Sequence, residues 1–280
     1  MQALRLRRRA ANALFVGFCS LATLIALTAL TMILWSLVKN GVGGLNAEIF
    51  TMSTPAPGSK GGLLNAIVGS ALQCAVGMVI AVVVGVMAGT WLSEFGGNSA
   101  YGRVIRFLND VLLSAPSILV GVFVWTIIVQ PLHSFSGWAG AVALALLAAP
   151  IVTRTTEDIL KLQPTALREA GMALGASHWF TIRKIIWRAA GAGLLTGGLL
   201  GFARISGETA PLMFTSLGNQ FFQADMSKPM SSLPLVIYHF ALSPEEDWIR
   251  LAWVAALLVT VAVLTINILG RWLAGASRHG

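Results

Sequence analysis

Charged side chains are what this sequence has least of. Asp, Glu, Lys and Arg together make up 11% of its 280 residues, against about 25% in an average globular chain. Hydrophobic residues make up 56%, more apolar surface than a single core of this size can hide. The excess must face lipid or other membrane-embedded protein, which excludes a soluble domain. Cysteine is almost absent. Cys19 and Cys74 both lie inside apolar runs, so a disulfide framework, a zinc site and a redox pair are excluded and two small packing residues remain. His133, His178, His239 and His279 are scattered without metal-ligand spacing. None of the five lysines follows a glycine, so the phosphate-cradling G-x-x-x-x-G-K-[ST] loop cannot occur. H-E-x-x-H and G-x-S-x-G are missing as well. An intramembrane protease or acyltransferase would need a catalytic constellation near the membrane surface, and none is visible. No internal repeat with a clear period appears either.

What is present is a series of apolar runs long enough to cross a bilayer, which takes about 20 residues each. Six are expected, near 13–38, 63–92, 107–129, 138–154, 191–213 and 249–272. The first follows Arg5, Arg7, Arg8 and Arg9 and is too long for a signal-peptide core, with no small-residue cleavage site behind it. The net charge of +8 would suit nucleic acid only as a basic face on a soluble fold. Here the positive residues sit in short clusters between apolar runs, so nucleic acid is not an expected partner. With the N-terminus inside, fourteen lysines and arginines fall on the cytoplasmic side and four outside (Lys39, Lys60, Lys228 and Arg250). That bias puts both termini in the cytoplasm. Residues 39–62 and 214–248 are then external. The first is rich in Gly and Pro and reads as loop. The second contains an apolar stretch, 233–242, too short to span and expected as an interfacial or re-entrant helix.

The longest cytoplasmic stretch is 154–190. Pro164 opens a short helix over 165–174, Gly175 suits the position just past its end, and Ser177 caps a second helix running toward the fifth span. Leu167, Ala170, Met172, Leu174, Trp179 and Phe180 alternate with charges there. Such a surface either lies on the bilayer or docks in a groove of a partner protein.

Charges within spans cost about 2.5–3.5 kcal/mol on insertion scales and therefore face a partner or a watery path. Arg204 and Glu208, four apart in the fifth span, are expected to share a helix face. Either they simply neutralise each other, or Arg204 lines a transport path where a guanidinium fork matches a tetrahedral oxyanion. Arg154 and Glu157, one turn apart at the cytoplasmic end of the fourth span, repeat the pattern, although Arg at such an end is also ordinary topology signalling. Asp110 on the third span is a further pore candidate. The glycine stripe Gly193, Gly197, Gly201 suggests close helix packing and places the fifth span at the bundle centre.

Glu169-Ala170-Gly171, with Gly175 and Ile185 following at the customary intervals, resembles the EAA loop of ABC importer permeases. Gly171 stands for the second Ala, and Trp187 and Arg188 stand for the usual Leu-Pro tail. Four more blocks, in order, are similar to the PstA family of phosphate-importer permease subunits: 61–70, 114–123, 150–157 with its R-T-T-E, and 203–212 with its G-E-T-A-P-L. The resemblance implies an all-α type I ABC importer permease fold with six transmembrane helices, one permease domain over 1–280, and a coupling loop at 161–190. It implies a multi-pass protein of the bacterial cytoplasmic (inner) membrane, passing inorganic phosphate inward. Its path would use Arg154, Glu157, Arg204 and Glu208, and its ATPase dock Glu169, Ala170, Gly171, Leu174 and Gly175. The implied partners are a PstC-like second permease, a homodimeric PstB-like ATPase, an external PstS-like phosphate-binding protein, and membrane lipid. No cofactor or metal is expected in this chain, since the partner ATPase binds the ATP. A permease for another oxyanion or phosphonate, and a membrane scaffold or sensor reporting on phosphate, remain as alternatives.

Overall fold

In hydrocarbon no water is available to bond an open backbone, so the apolar runs must close their hydrogen bonds within helices. The computed structural model describes residues 2–276 as a helical array; Arg278 and His279 lie outside the described residues. Helix α1 (Gln2–Gly43) is followed by a single turn, α2 (Glu48–Thr51), and then by α3 (Leu64–Trp91), which ends in a wider π-helical turn at Leu92–Gly96. Next come α4 (Ala100–Ser114), α5 (Ser117–Val124), a π-helical turn at Trp125–Val129 and α6 (Gln130–Leu132). Helix α7 (Gly137–Lys161) leads to the cytoplasmic pair α8 (Thr165–Ala173) and α9 (His178–Thr181). A third π-helical turn, Ile182–Ile186, joins α9 to α10 (Trp187–Ala189) and α11 (Gly191–Ile205). The chain closes with α12 (Ala210–Thr215), α13 (Leu233–Ala241) and α14 (Glu246–Ala276).

Among the described residues, four helices are long and apolar enough to cross a membrane unbroken, at Arg7–Gly43, Leu64–Gly96, Gly137–Lys161 and Glu246–Trp272. The other two expected spans are interrupted, and counting each bent pair as one span gives six. The continuous third helix expected over 107–129 is instead two helices meeting at 106°. Pro116 has no N–H to donate and drives Ala115 into extended geometry (ψ 137°), so the turn falls there. The fifth, expected over 191–213, ends at Ile205 and resumes as α12. Its other end meets the α9–α10 stretch at 75°. The external stretch 39–62 is not all loop, since α1 runs on to Gly43 and α2 follows. Helix α13 is the short helix expected near 233–242, and its Leu233, Pro234, Leu235, Val236 and Phe240 are buried.

The centre of the array is the α3–α7 seam. A Cβ added at Gly89 would stand 2.6 Å from the Thr153 carbonyl oxygen and from Thr156 Cβ, so only glycine allows the backbones this close. The α11 stripe closes on the neighbouring face of α7, with Gly193 against Ile159, Gly197 against Thr155 and Gly201 against Val152. Helix α1, by contrast, leaves its apolar side chains from Leu14 to Trp35 exposed. It meets α14 only near its C-terminal end, where Gly41 faces Leu257.

Candidate functional site

Arg204 occupies the last turn of α11, and Glu208 lies beyond it, in the break before α12. The two are ion-paired through Arg204 Nη1 and Glu208 Oε1. The expectation of a shared helix face is thus corrected: the contact is made across a helix end, where Ser206 and Gly207 turn the chain. Pro211, in the first turn of α12, lacks an N–H and suits that position. The two sides of the pair differ in exposure, the Glu208 side chain being 7% exposed and that of Arg204 51%. A buried carboxylate therefore anchors a guanidinium whose other face is open. Both interrupted spans come together here, because α5 packs on α12. A Cβ on Gly121 of α5 would sit 2.6 Å from Pro211 Cα. Irregular backbone at membrane depth is tolerated only inside protein or along a watery cavity, and the break between α11 and α12 is covered on one side by α5.

Nearer the cytoplasm, Arg154 of α7 is half exposed and lies between two carboxylates. Its Nη1 is 3.3 Å from Asp110 Oδ1 on α4, and its Nε is 3.4 Å from Asp158 Oδ2 one turn on. The expected Arg154–Glu157 pair is not formed. Glu157 is buried and accepts from Arg106 Nε at 2.7 Å and Lys161 Nζ at 2.5 Å. Residues four apart on a helix stack more directly than residues three apart, and each member has a partner at that spacing, Asp158 for Arg154 and Lys161 for Glu157. The i,i+4 spacings were visible in the sequence and would have found Asp158 and Lys161. Arg106 lies 51 positions from Glu157 and carried no local signal.

The cytoplasmic hairpin follows its local signals. Helix α8 starts after Pro164 and ends at Leu174, with Gly175 left-handed at φ 79°. The Ala176 N–H donates to the Gly171 carbonyl at 3.2 Å and the Gly175 N–H to that of Met172 at 2.9 Å, the two bonds of a Schellman cap. Ser177 Oγ accepts from the Phe180 N–H at 3.3 Å, capping α9. Gly171 is buried at the crossing, where an added Cβ would stand 2.7 Å from Thr181 Cγ2 and 3.0 Å from Ile185 Cδ1. Glu169, Ala170 and Gly175 are exposed, and Leu174 is 87% exposed. Met172, Trp179 and Phe180 also stand open, so the hairpin carries an exposed apolar surface, and Arg183 and Lys184 just after it are exposed as well. Of the apolar residues expected on that surface, Leu167 turns inward against the cluster of Leu160 and Ile186.

Two further interactions had no sequence signal. Arg168 of α8 forms a two-pronged ion pair with Glu94 in the π-helical end of α3, at 2.9 and 2.7 Å. The hydrogen bonds to Glu94 lead in holding the Arg168 guanidinium above its ordinary pKa; burial opposes them, and the carboxylate charge adds. At the external end, buried Asn65 donates to Thr54 Oγ1 and to the carbonyls of Asn219 and Gln220, tying both long external stretches to α3. Among the described residues, no group of three or more His, Cys, Asp or Glu gathers as a metal site would.

Residues 81–279 match the family described as "Binding-protein-dependent transport system inner membrane component". The chain is 51% identical over 264 residues to the "Phosphate transport system permease protein PstA" of Haemophilus influenzae, covering 94% of each. It is 49% identical over 273 residues to the protein of that name from Yersinia pestis, covering 97% of this chain and 92% of that one. A "Probable phosphate transport system permease protein PstA" of Methanocaldococcus jannaschii is 36% identical, with 90% of each covered. Among solved structures, a chain of the MetNI methionine ABC transporter in an inward-facing conformation superposes with TM-score 0.63 at 19% identity, covering 77% of this chain and 95% of that one. That likeness shows a shared fold.

Proposed function

The chain belongs to the family of binding-protein-dependent transport system inner membrane components, and from that premise we propose that it carries inorganic phosphate into the cytoplasm. It is a multi-pass permease subunit of an ABC importer in the inner membrane. The observation that carries the phosphate reading is the open guanidinium of Arg204, held by buried Glu208 at the break between α11 and α12. It sits in a chain whose relatives bear the name of phosphate permeases. An arginine fork matches the oxygens of a tetrahedral anion. A phosphate arriving at the open face competes with Glu208 for the fork, binds through charge-assisted hydrogen bonds, and leaves when the carboxylate reclaims the site. Binding of this kind is strong enough to admit the anion and weak enough to release it, as a conduit requires. Arg154, between Asp110 and Asp158, provides a second station by the same exchange. Glu157 stands behind it, engaged by Arg106 and Lys161.

The energy comes from outside the chain, which carries no phosphate-cradling loop and needs no cofactor of its own. A homodimeric ATPase receives the α8–α9 knob in a cleft, with Leu174 as the inserted side chain, Glu169 and Ala170 on the rim, and Gly171 and Gly175 fixing the shape. A second permease completes the pore, since one set of helices encloses it poorly. An external binding protein delivers the phosphate and sets selectivity.

The test is uptake of labelled phosphate at micromolar concentration in cells lacking this chain, complemented with wild type, Arg204→Ala or Glu169→Lys, each checked for membrane level. Wild type restores uptake and neither variant does. Full uptake with Arg204→Ala would reduce that residue to a structural ion pair. Uptake independent of the chain would turn the substrate reading to sulfate or phosphonate.

A further inference from the structure

We propose that the Arg168–Glu94 ion pair is the positioning link through which the docking knob moves α3, and through α3 the external loops. The inference rests on the docking reading above and goes beyond it. The knob is joined covalently to α7 and α11, so those helices are the obvious levers. Yet three parts of the hairpin grip one short stretch of α3 instead. From α8, Arg168 holds Glu94 in two-pronged fashion, the Glu94 side chain being only 3% exposed. From α9, His178 packs edge-on against Phe95, with ring centroids 5.0 Å apart. From α10, Trp187 Nε1 donates to Thr90 Oγ1 at 3.1 Å.

Arg168 also donates to the Leu160 and Gln163 carbonyls, both at 2.8 Å, so the end of α7 is bound into the same knot. Bidentate, with the Glu94 side chain enclosed and that of Arg168 18% exposed, this contact holds its geometry more firmly than an exposed ion pair of long flexible side chains. Rigid, packed and hydrogen-bonded elements carry coupling over such distances, and α3 supplies one. Its 28 residues run about 42 Å at 1.5 Å per residue. At the far end Asn65 holds the external stretches through Thr54, Asn219 and Gln220. Ser70 Oγ accepts from the Leu233 N–H at 2.7 Å, and Gln73 Nε2 donates to the Ser231 carbonyl at 3.2 Å. A displacement of Glu94 is therefore delivered to the loops that frame the external mouth.

The experiment uses the complete complex in liposomes: this chain, the second permease, the ATPase dimer and the binding protein. The readout is labelled phosphate moved per ATP hydrolysed, with bound ATPase quantified in each preparation. Arg168→Gln and Glu94→Gln are each expected to lower that ratio about tenfold, within the usual span of coupling between sites, and Arg168→Lys by less. The ATPase stays bound in the wild-type amount. The double variant Arg168→Gln/Glu94→Gln falls no further than either single one, and it leaves no buried charge unpaired, so it carries the test if a single variant is lost from the membrane. An unchanged ratio, or single effects that add in the double variant, would overturn the proposal. So would loss of bound ATPase in step with the ratio, which would make the pair an assembly clamp. Failure of the underlying reading shows elsewhere, as a wild-type complex that moves no phosphate or as Glu169→Lys retaining its ATPase.

Discussion

Arg204 and Glu157 are both charges paired within a membrane-spanning array, and their surroundings give them opposite fates. Glu157 is enclosed, with Arg106 and Lys161 on one carboxylate oxygen. Its partners Arg106 and Lys161 are 23% and 50% exposed, so losing the Glu157 charge costs its charge-assisted hydrogen bonds, about 1.5–3 kcal/mol, rather than the full penalty of a stranded buried ion. Glu157→Gln is therefore expected to lower the melting temperature and membrane level of the complex while uptake per remaining molecule stays near wild type. A wild-type melting temperature with impaired uptake would return Glu157 to the path. Arg204 is open on one face, and in the proposed exchange Glu208 is the competitor that ejects phosphate. Glu208→Gln removes that competitor's charge, and the difference between a charged and a neutral acceptor is about 1–2 kcal/mol. Maximal phosphate uptake is expected to fall about tenfold through slow release, while the half-saturating concentration stays where the binding protein sets it. Measuring uptake rate against phosphate concentration separates the two, and an undiminished maximal rate would refute the exchange.

Two helix contacts depend on glycine, one in the membrane and one in the α8–α9 knob. On α3, a side chain at Gly89 would drive into the Thr153 carbonyl and Thr156. Gly89→Leu should part α3 from α7 at a cost of about 1–3 kcal/mol, seen as a lower melting temperature of the purified complex. At Gly171 the obstacle is Thr181, so Gly171→Leu should splay α8 from α9 and release the ATPase, while the membrane level of this chain is unchanged. Co-purification of the two proteins measures that outcome. The knob was legible in the sequence because its signals are local: Pro164 before the helix, Gly175 where φ must be positive, and Ser177 three residues ahead of the N–H it caps. The glycine stripe of α11 was legible for the same reason. The breaks in the third and fifth spans were missed although Ser114-Ala115-Pro116-Ser117 and Ser206-Gly207-Glu208-Thr209 interrupt the apolar runs, because a span-length hydropathy reading averages over so short an interruption. Hydropathy records how much of a run suits lipid and says little about its direction. The ion pairs were harder still. Arg168 and Glu94 lie 74 positions apart, and Arg154 and Asp110 lie 44 apart, so only the folded bundle selects among the carboxylates available to each arginine.

An importer of this kind needs a front and a back, and the chain distributes its features accordingly. The polar loops tied to Asn65 sit at one end of α3, and the exposed apolar knob sits at the other. An apolar side chain as open as Leu174 is costly in water, and burial in a partner's groove relieves that cost. The long apolar face of α1 and those of α4 and α5 are exposed in the same way, toward lipid or the second permease. Single cysteines placed at Gly58 and Leu174, with Cys19 and Cys74 replaced by Ser, test the arrangement. A membrane-impermeant maleimide should label Gly58→Cys in intact spheroplasts and Leu174→Cys only in inside-out vesicles. Adding the ATPase to vesicles stripped of it should then protect Leu174→Cys and leave a control cysteine at Leu162, also exposed on this side, reactive. Labelling of Leu174→Cys from outside would invert the orientation deduced from the lysines and arginines. Labelling from inside without protection would keep the orientation and remove the ATPase from this surface. Because the two failures differ, the direction of the chain and the site of energy input are tested separately.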